Sequence, residues 1–454
     1  MDFLKDIALP QPIEHFHLLL FMLNLVFLLF LPYFGFLFGT SILSVYFNRR
    51  SVRTGSPLES RLAWDLIRLG LFTKSGVAFL AILPSMSLVF LLAQFLQGTP
   101  AIAPGLMGFG FLALVAAMVF LYIYRYSMGL DSALRVAGTA PSLQLYRASA
   151  ESNIARAGRW GVGTLIASSV LCLGAISVAV NRESWSDVST VFGLFLTPEF
   201  WGRYLHFLTV SLGATGIGML YFLFGWEGGL VGEDEQYVAF VRPLAIRLSV
   251  ISLLAQPLLV LGSIAFLPAQ ALSGWVFGLA GMSLALLFLS GNYLYAYVKE
   301  RQPKYTAFAF YTLVLAFFLV FTKDQVAISN ATKDHASSLA ISAERDVESL
   351  KAKLGVVAVA QSGEDIFNSR CSACHMYDKK KIGPPYDVVI RKYAGNKEAL
   401  LKFIMNPVKV DPTYPNMPNQ GLKPAEADSI ATYLMHKVLG GPTPVSTKPG
   451  EKVG

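Results

Sequence analysis

Residues 17–46 read HLLLFMLNLVFLLFLPYFGFLFGTSILSVY, a segment without a single Asp, Glu, Lys or Arg. A helix needs about 20 consecutive apolar residues to cross the hydrocarbon core of a bilayer. In a helix every backbone N–H and C=O group is paired inside the segment, as lipid surroundings require. The segment therefore predicts a membrane-spanning helix.

Seven more segments are apolar over a comparable length. They cover residues 76–97, 101–124, 160–181, 201–225, 246–268, 272–297 and 304–322. Charged residues make up 15% of the chain, where soluble domains have about 25%, and the mean hydropathy is +0.52. These features predict an all-α, polytopic membrane helix bundle of about eight spans.

Lys and Arg are concentrated in the loops after the first and third spans. These residues are Arg49, Arg50, Arg53, Arg61, Arg68 and Lys74 in one loop, and Arg125, Arg135, Arg147, Arg156 and Arg159 in the other. Cytoplasmic loops carry such an excess, so we expect both termini to lie outside. The first 14 residues lack a basic n-region, and the first span is expected to remain as an anchor. The net charge of +8 then favours the lipid membrane as partner, and not nucleic acid.

Near the C-terminus, residues 371–375 read CSACH. Two thiols at this spacing can each form a thioether to a haem vinyl group, and the imidazole of His375 can then reach the iron. A zinc half-site or a redox dithiol shares the C-x-x-C spacing, but no second Cys pair follows and no thioredoxin-like pattern surrounds it. Cys371, Cys374 and His375 are therefore predicted to hold one covalent c-type haem.

The haem motif and the charge pattern predict the same location. Haem is attached to C-x-x-C-H on the outer side of bacterial membranes, and the charge pattern independently places the C-terminus there. We expect a multi-pass protein of the bacterial cytoplasmic (inner) membrane whose haem domain is periplasmic.

The residues on either side of the motif fit this interpretation. Residues 363–367, GEDIF, precede it as a short predicted helix, and 383–385, GPP, follow it. A rigid turn at Pro384 can place a carbonyl against the second ring nitrogen of His375.

Downstream, residues 415–419 read PNMPN, and a final helix is predicted from Pro424. This order of segments resembles a class I cytochrome c domain over residues 356–440. The resemblance implies Cys371 and Cys374 as the attachment residues and His375 and Met417 as the axial ligands. Other methionines compete for the sixth position, but Met376 is too close to His375, and Met405 and Met435 lie in predicted helices, where methionine usually fills the core.

The chain is accordingly predicted to have four parts. Residues 1–322 form the transmembrane helical domain, 323–355 a helical or polar linker, 356–440 the cytochrome c domain and 441–454 a flexible tail.

Three histidines lie near the spans: His15 and His17 at the outer entrance of the first, and His206 at the outer end of the fifth. The two helices run in the same direction, so the sequence predicts that all three histidines lie at a matched depth. Imidazoles at this depth below a c-type haem suggest ligation of one or more b-type haems, with His17 and His206 as the preferred ligands. Arg203, one turn before His206, is then expected to pair with a haem propionate.

Residues 200–216, FWGRYLHFLTVSLGATG, resemble the His-bearing helix of subunit I of cytochrome bd-type oxidases. The first helix is similar in the placement of its histidines. The chain departs from that family because the loop after the sixth span is short and the third span contains no Glu or Asp. It looks most like the divergent members that carry a fused C-terminal cytochrome c domain.

Three functions follow as hypotheses. The favoured one is an electron-transfer subunit of a respiratory complex, passing electrons between a membrane b-type haem, with quinone as a candidate partner, and the periplasmic c-type haem. The second is a bd-like terminal oxidase subunit fed by its cytochrome c, and the third is a cofactor-free anchor. The first makes the chain a component of an oxidoreductase complex, with other membrane subunits and a periplasmic redox protein as partners.

Overall fold

The computed structural model describes residues 13–137, 141–182, 184–226, 234–353 and 362–440, which form helices and turns without any strand. The chain divides into two compact units, the larger containing residues 17–333 and the smaller containing residues 334–454. The predicted tail and the predicted start of the cytochrome c domain, residues 356–361, lie outside the described residues.

Within the described ranges, eight helices are long and apolar enough to cross a membrane, which confirms the predicted polytopic all-α fold. A further helix, α2, follows the first span. The helices are α1 (Ile13–Thr54), α2 (Pro57–Gly70), α3 (Lys74–Phe95), α4 (Ala103–Ala137), α5 (Pro141–Val180), α6 (Pro198–Phe224), α7 (Glu235–Ala265), α8 (Gly274–Glu300) and α9 (Lys304–Ala331).

Side-chain oxygens mark where several of these helices begin. The hydroxyl of Thr73 accepts a hydrogen bond from the Gly76 N–H at 3.0 Å, and the carboxylate of Asp234 accepts one from Gln236 at 2.9 Å. Ser273 caps α8 in the same way. Such caps satisfy N–H groups that have no partner inside the helix, so the starts of α3, α7 and α8 are encoded locally.

Small residues bring α6 close to α1 and α7. A Cβ added to Gly39 on α1 would lie 2.7 Å from the carbonyl oxygen of Ser211, and one added to Gly216 would lie 2.7 Å from the backbone nitrogen of Ser249. Membrane helices associate through such small residues because lipid supplies no hydrophobic driving force. The close contacts hold α6, which carries Arg203 and His206, between two neighbouring spans.

The last span is longer than its apolar run. Hydropathy ends near residue 322, but α9 continues through Ala331. Lys323 is fully buried, and the ammonium lies 2.9 Å from the carboxylate of Asp324. Because the two charges pair with each other, α9 continues beyond residue 322, where composition alone predicts a polar linker.

The smaller unit contains five helices among its described residues. They are α10 (Lys333–Lys353), α11 (Gly363–Ile366), α12 (Tyr386–Arg391), α13 (Lys397–Met405) and α14 (Pro424–Leu439). Their shared core includes Ile366, Leu400 and Ile430. The short helix α11 crosses α14 at Gly363, where a Cβ would lie 2.6 Å from the Cβ of Tyr433.

Helix α10 packs against the other helices of the smaller unit, which contains the haem motif. Ile341 contacts the core, and the carboxylate of Glu344 accepts a hydrogen bond from the backbone N–H of Ala425 in the first turn of α14. Burial raises the pKa of Glu344 above its ordinary value, although that hydrogen bond and Lys423 oppose the shift. Residues 334–353 are therefore a packed helix of this unit.

Candidate functional site

The C-S-A-C-H motif follows α11 directly. Ser362 caps that helix, and a π-helical turn, Phe367–Cys371, carries the chain to the first cysteine. The N–H groups of Cys374 and His375 both donate to the carbonyl oxygen of Cys371, at 3.1 and 3.0 Å. One short turn therefore holds both thiols and the imidazole.

The ring of His375 is oriented from behind by the loop that follows it. Its Nδ1 lies 2.9 Å from the carbonyl oxygen of Pro384, the contact predicted for this turn. A carbonyl can only accept, so Nδ1 carries the proton and Nε2 is left as the basic nitrogen that binds metal.

Gly383 gives the ring its space. The N–H of Gly383 donates to the carbonyl oxygen of Cys374 at 2.8 Å, which closes the loop. A Cβ at Gly383 would lie 2.8 Å from Nδ1 of His375 and closer still to its Cε1. The two thiols, the unprotonated Nε2 of His375 and the space that Gly383 leaves for the ring together fit a covalent c-type haem.

Met417 lies half-buried in the loop between α13 and α14. Asn419 anchors that loop, because its amide donates to the carbonyl oxygen of Met405 at 3.1 Å and its side-chain oxygen accepts from the Gly421 N–H at 2.9 Å. The competing methionines occupy other environments. Met405 is buried in the core and Met435 packs on it, while Met376 is exposed. The placement favours Met417 as the second axial ligand.

Electrostatics around the motif disfavour the thiolate of Cys371 and make the surface basic. Burial, together with the neighbouring Cys374, raises the pKa of the Cys371 thiol to about 11. Lys381 donates to the carbonyl oxygen of Ser372 at 2.8 Å, and Lys380 lies 4.7 Å from the ring centre of Tyr414. The basic residues are thus tied to the loops that surround the motif.

The second predicted site lies in the membrane unit. Nε2 of His206 on α6 lies 2.8 Å from Oε1 of Gln256 on α7. Gln256 is fully buried, and its amide nitrogen lies 3.4 Å from the hydroxyl of Thr209. Polar groups in a span are costly without partners, and these two side chains satisfy each other.

Charged side chains extend this pair into a cluster. Arg203 Nη1 lies 3.7 Å from Asp324 Oδ2, and Lys323 Nζ lies 2.9 Å from Asp324 Oδ1. The same ammonium donates to the hydroxyl of Ser263 at 2.7 Å. The cluster joins α6, α7 and α9, and it gives Arg203 a carboxylate partner within the protein.

A cavity opens beside the cluster. Arg203, His206 and Asp324 line its polar side, and its apolar lining includes Phe27 and Leu31 of α1. The cavity has a volume of about 70 Å³, which is smaller than an ordinary ligand pocket. An imidazole, a carboxylate and a guanidinium lie on one side of it, and apolar side chains lie on the other.

The structure does not bring His17 and His206 to the same depth. Helices α1 and α6 run in the same direction, as predicted, because Gly35 lies beside Ser211 and Gly39 beside Thr215. This register aligns His206 with residue 30, so His17 lies 13 residues away, roughly 20 Å along the helix. His15 and His17 are both exposed side chains of the first turns of α1. The prediction compares each histidine with the end of its own span. Helix α1 begins further out than α6, so equal distances from the two helix starts do not mean equal depths.

Four members of the cluster were missed by the sequence reasoning: Gln256, Ser263, Lys323 and Asp324. A usable signal was present, since Lys323 and Asp324 are adjacent opposite charges followed by the apolar residues 326–328. Gln256 is likewise an isolated amide within an apolar run.

Comparison with known proteins identifies the smaller unit. Residues 360–437 match the family model described as cytochrome c. Cytochrome c-552 of Hydrogenobacter thermophilus is 33% identical over 92 residues, which is 19% of this chain and 92% of that protein. Cytochrome c-551 of Pseudomonas denitrificans is 31% identical over 80 residues, which is 16% of this chain and 95% of that protein.

Proposed function

This chain belongs to the cytochrome c family through its C-terminal domain, and we propose that it is a membrane-bound electron-transfer subunit of a respiratory complex. A cytochrome c domain indicates electron transfer, and the eight apolar helices indicate a multi-pass membrane protein. In the proposed arrangement the haem domain lies on the periplasmic side of the bacterial inner membrane. There it exchanges electrons with a redox protein and with other subunits of an oxidoreductase complex.

The observation that carries the proposal is the geometry around His375. A c-type haem supplies a one-electron redox centre when bound. Cys371 and Cys374 would hold it covalently, and His375 and Met417 would ligate the iron. The carbonyl of Pro384 fixes the proton on Nδ1 of His375, which keeps the imidazole in one orientation during oxidation and reduction.

We further propose that the membrane unit takes part in the redox reaction by meeting a quinone. Ionisable residues inside spans are costly and mark functional sites, and a single helix would already anchor the domain. The polar side chains of Arg203, His206 and Asp324 support this proposal, and the cavity of about 70 Å³ beside them would have to widen to admit a quinone head. Oxidation of a quinol releases two electrons and two protons. The one-electron haem would take the two electrons in succession, passing the first to the external redox protein before it accepts the second, and an imidazole and a carboxylate are groups that accept protons.

A b-type haem held by His17 and His206 together does not fit this arrangement. The two side chains lie roughly 20 Å apart along parallel helices, and Nε2 of His206 is paired with Gln256. Ligation by His206 alone stays a prediction, as does the related bd-like oxidase, and neither is needed for the electron transfer proposed here.

Quinol-driven reduction of the c-type haem tests the quinone proposal. We expect Asp324→Asn to slow haem reduction by a short-chain quinol by roughly two orders of magnitude, because a proton acceptor is lost. Reduction by dithionite should be unchanged. Asp187→Asn is the matched control, since Asp187 is an exposed carboxylate between α5 and α6. Equal quinol rates in Asp324→Asn and wild type would remove the membrane unit from the reaction.

A second variant separates chemistry from folding. Removing one partner of a buried ion pair leaves an uncompensated charge, whereas removing both is often tolerated. The double variant Lys323→Met with Asp324→Asn is therefore expected to fold and still to react slowly with quinol. Haem absorbance and thermal unfolding check that it is intact.

A further inference from the structure

Two joined cavities lie at the end of the bundle where the basic residues cluster. The first, of about 530 Å³, is lined by side chains that include Trp64, Lys74 and Arg125. The second, of about 570 Å³, is lined by apolar side chains such as Ile82 and Val119. Tyr122 and Tyr126 of α4 line both cavities, so the two cavities adjoin. Together they are called the groove, which has a basic end and an apolar end.

The basic end contains groups that suit an anion. Lys74 is exposed, with its ammonium 5.5 Å from the ring centre of Tyr126. Arg125 donates through Nη1 to the carbonyl oxygen of Leu71. Since a guanidinium has five N–H donors, Arg125 keeps donors for a ligand while that backbone contact holds it in place.

Tyr122 adds an independent indication of a ligand. Its hydroxyl is buried and has no hydrogen-bond partner among the residues that the structure describes. Buried hydroxyls in native proteins nearly always have a partner, and this one lies on a side chain that lines both cavities. Because the hydroxyl has almost no accessible surface, the side chain would have to rotate for an acceptor oxygen bound in the groove to complete it.

The apolar end is shaped by an irregular turn of α3. Residues Ala78–Ile82 form a π-helical turn, and Ile82 lines the groove. Such turns are rare and occur frequently at functional sites. Across from it, the lining residues of α4 extend from Val115 to Tyr126, roughly 16 Å along the helix. The groove therefore continues toward the bilayer interior, along the direction that an acyl chain takes.

We propose that this groove is a binding site for one anionic phospholipid. Lys74 and Arg125 would neutralise the phosphate, the Tyr122 hydroxyl would donate to a headgroup oxygen, and an acyl chain would lie against Ile82 and Val119. Two cations at the polar end favour an anionic headgroup over phosphatidylcholine or an uncharged quinone head. A cytoplasmic location agrees with this assignment, since anionic lipid is the source of the negative surface potential there.

Lipid titration of the full-length protein in detergent micelles, followed by native mass spectrometry, tests the site. Phosphatidylglycerol is expected to give one retained lipid per chain, and phosphatidylcholine is not. Lys74→Gln should weaken phosphatidylglycerol binding about fivefold, since one cation near a lipid phosphate contributes about 1 kcal/mol. Tyr122→Phe should weaken it roughly tenfold, because a hydrogen bond to a charged group is lost.

Lys299→Gln is the matched control, because Lys299 is an exposed lysine in the last turn of α8 and lines neither cavity. It should bind phosphatidylglycerol as the wild type does. Unchanged haem absorbance and thermal unfolding show that each variant is folded. Equal binding of phosphatidylcholine, wild-type affinity in both groove variants, or displacement of the lipid by a quinone would each overturn the proposal.

Discussion

At the scale of single residues, the haem site depends on how His375 is held. The carbonyl of Pro384 accepts a hydrogen bond from the Nδ1–H group, and Gly383 lets the loop lie against the ring. The C-x-x-C-H spacing alone predicts the ligand, because covalent attachment and ligation use adjacent residues. It also suggests a carbonyl near the ring, but which glycine the ring packs against depends on how the loop folds back.

Gly383→Ala should disturb this ligation. The new Cβ would collide with the ring of His375, so we expect a shifted haem spectrum and a lower reduction potential. Gly395→Ala is the control, because Gly395 has a φ of +80° and open space around it. That variant should lose about 1 kcal/mol of stability while its spectrum stays unchanged. An unaltered spectrum in Gly383→Ala would contradict the proposed close packing of Gly383 against the His375 ring.

Met417→Ala tests the sixth ligand. The ferric haem should lose its methionine-to-iron charge-transfer band, and its potential should fall because methionine ligation raises it. Met376→Ala, an exposed methionine next to His375, should keep both properties. If the band survives in Met417→Ala, another side chain ligates the iron.

Lys323 and Asp324 show where single-residue reasoning stops. A single charged residue in a sequence usually indicates exposure to solvent. Only tertiary packing shows that Lys323 is buried beside Ser263 and that Asp324 lies half-buried beside Arg203. Their surroundings depend on residues that are distant in sequence, whereas a hydropathy window contains only sequence neighbours. For the same reason the predicted matched depth of His17 and His206 was wrong, because the register of α1 against α6 depends on tertiary packing.

At the scale of elements, helices were largely predictable and their ends were not. Long apolar runs identify spans because no other structure satisfies the backbone in lipid. The end of α9 at Ala331 depends on an ion pair, and the packing of α10 on the haem unit depends on contacts with α14. These are tertiary interactions between segments far apart along the chain.

The packing of α10 predicts a pH effect. The pKa of Glu344 is raised in the folded protein by burial, so its protonated form stabilises the fold and this contribution is lost as pH rises through the raised pKa. Glu344→Gln should therefore show a smaller decline in unfolding temperature above pH 4.5. Asp346→Asn, which changes an exposed carboxylate on the same helix, should follow the wild type. Parallel curves for Glu344→Gln and wild type would contradict the role of this carboxyl.

At the scale of the whole molecule, the proposed orientation follows from loop charge and from where haem is attached. The basic loops after the first and third spans favour the cytoplasm, which leaves the C-terminal domain outside. Protease added to spheroplasts should release the haem domain, whereas inverted vesicles should protect it. Release from inverted vesicles only would reverse the topology.

The central claim is that residues 371–375 carry a covalent haem in a membrane-bound electron carrier. The most direct test is the reduced-minus-oxidised spectrum of the purified full-length protein before and after acid–acetone extraction of haem. One haem per chain should remain attached with a c-type spectrum, and it should be absent from the variant with Cys371→Ser and Cys374→Ser. A protein without covalent haem, or an unchanged spectrum in that variant, would contradict the account.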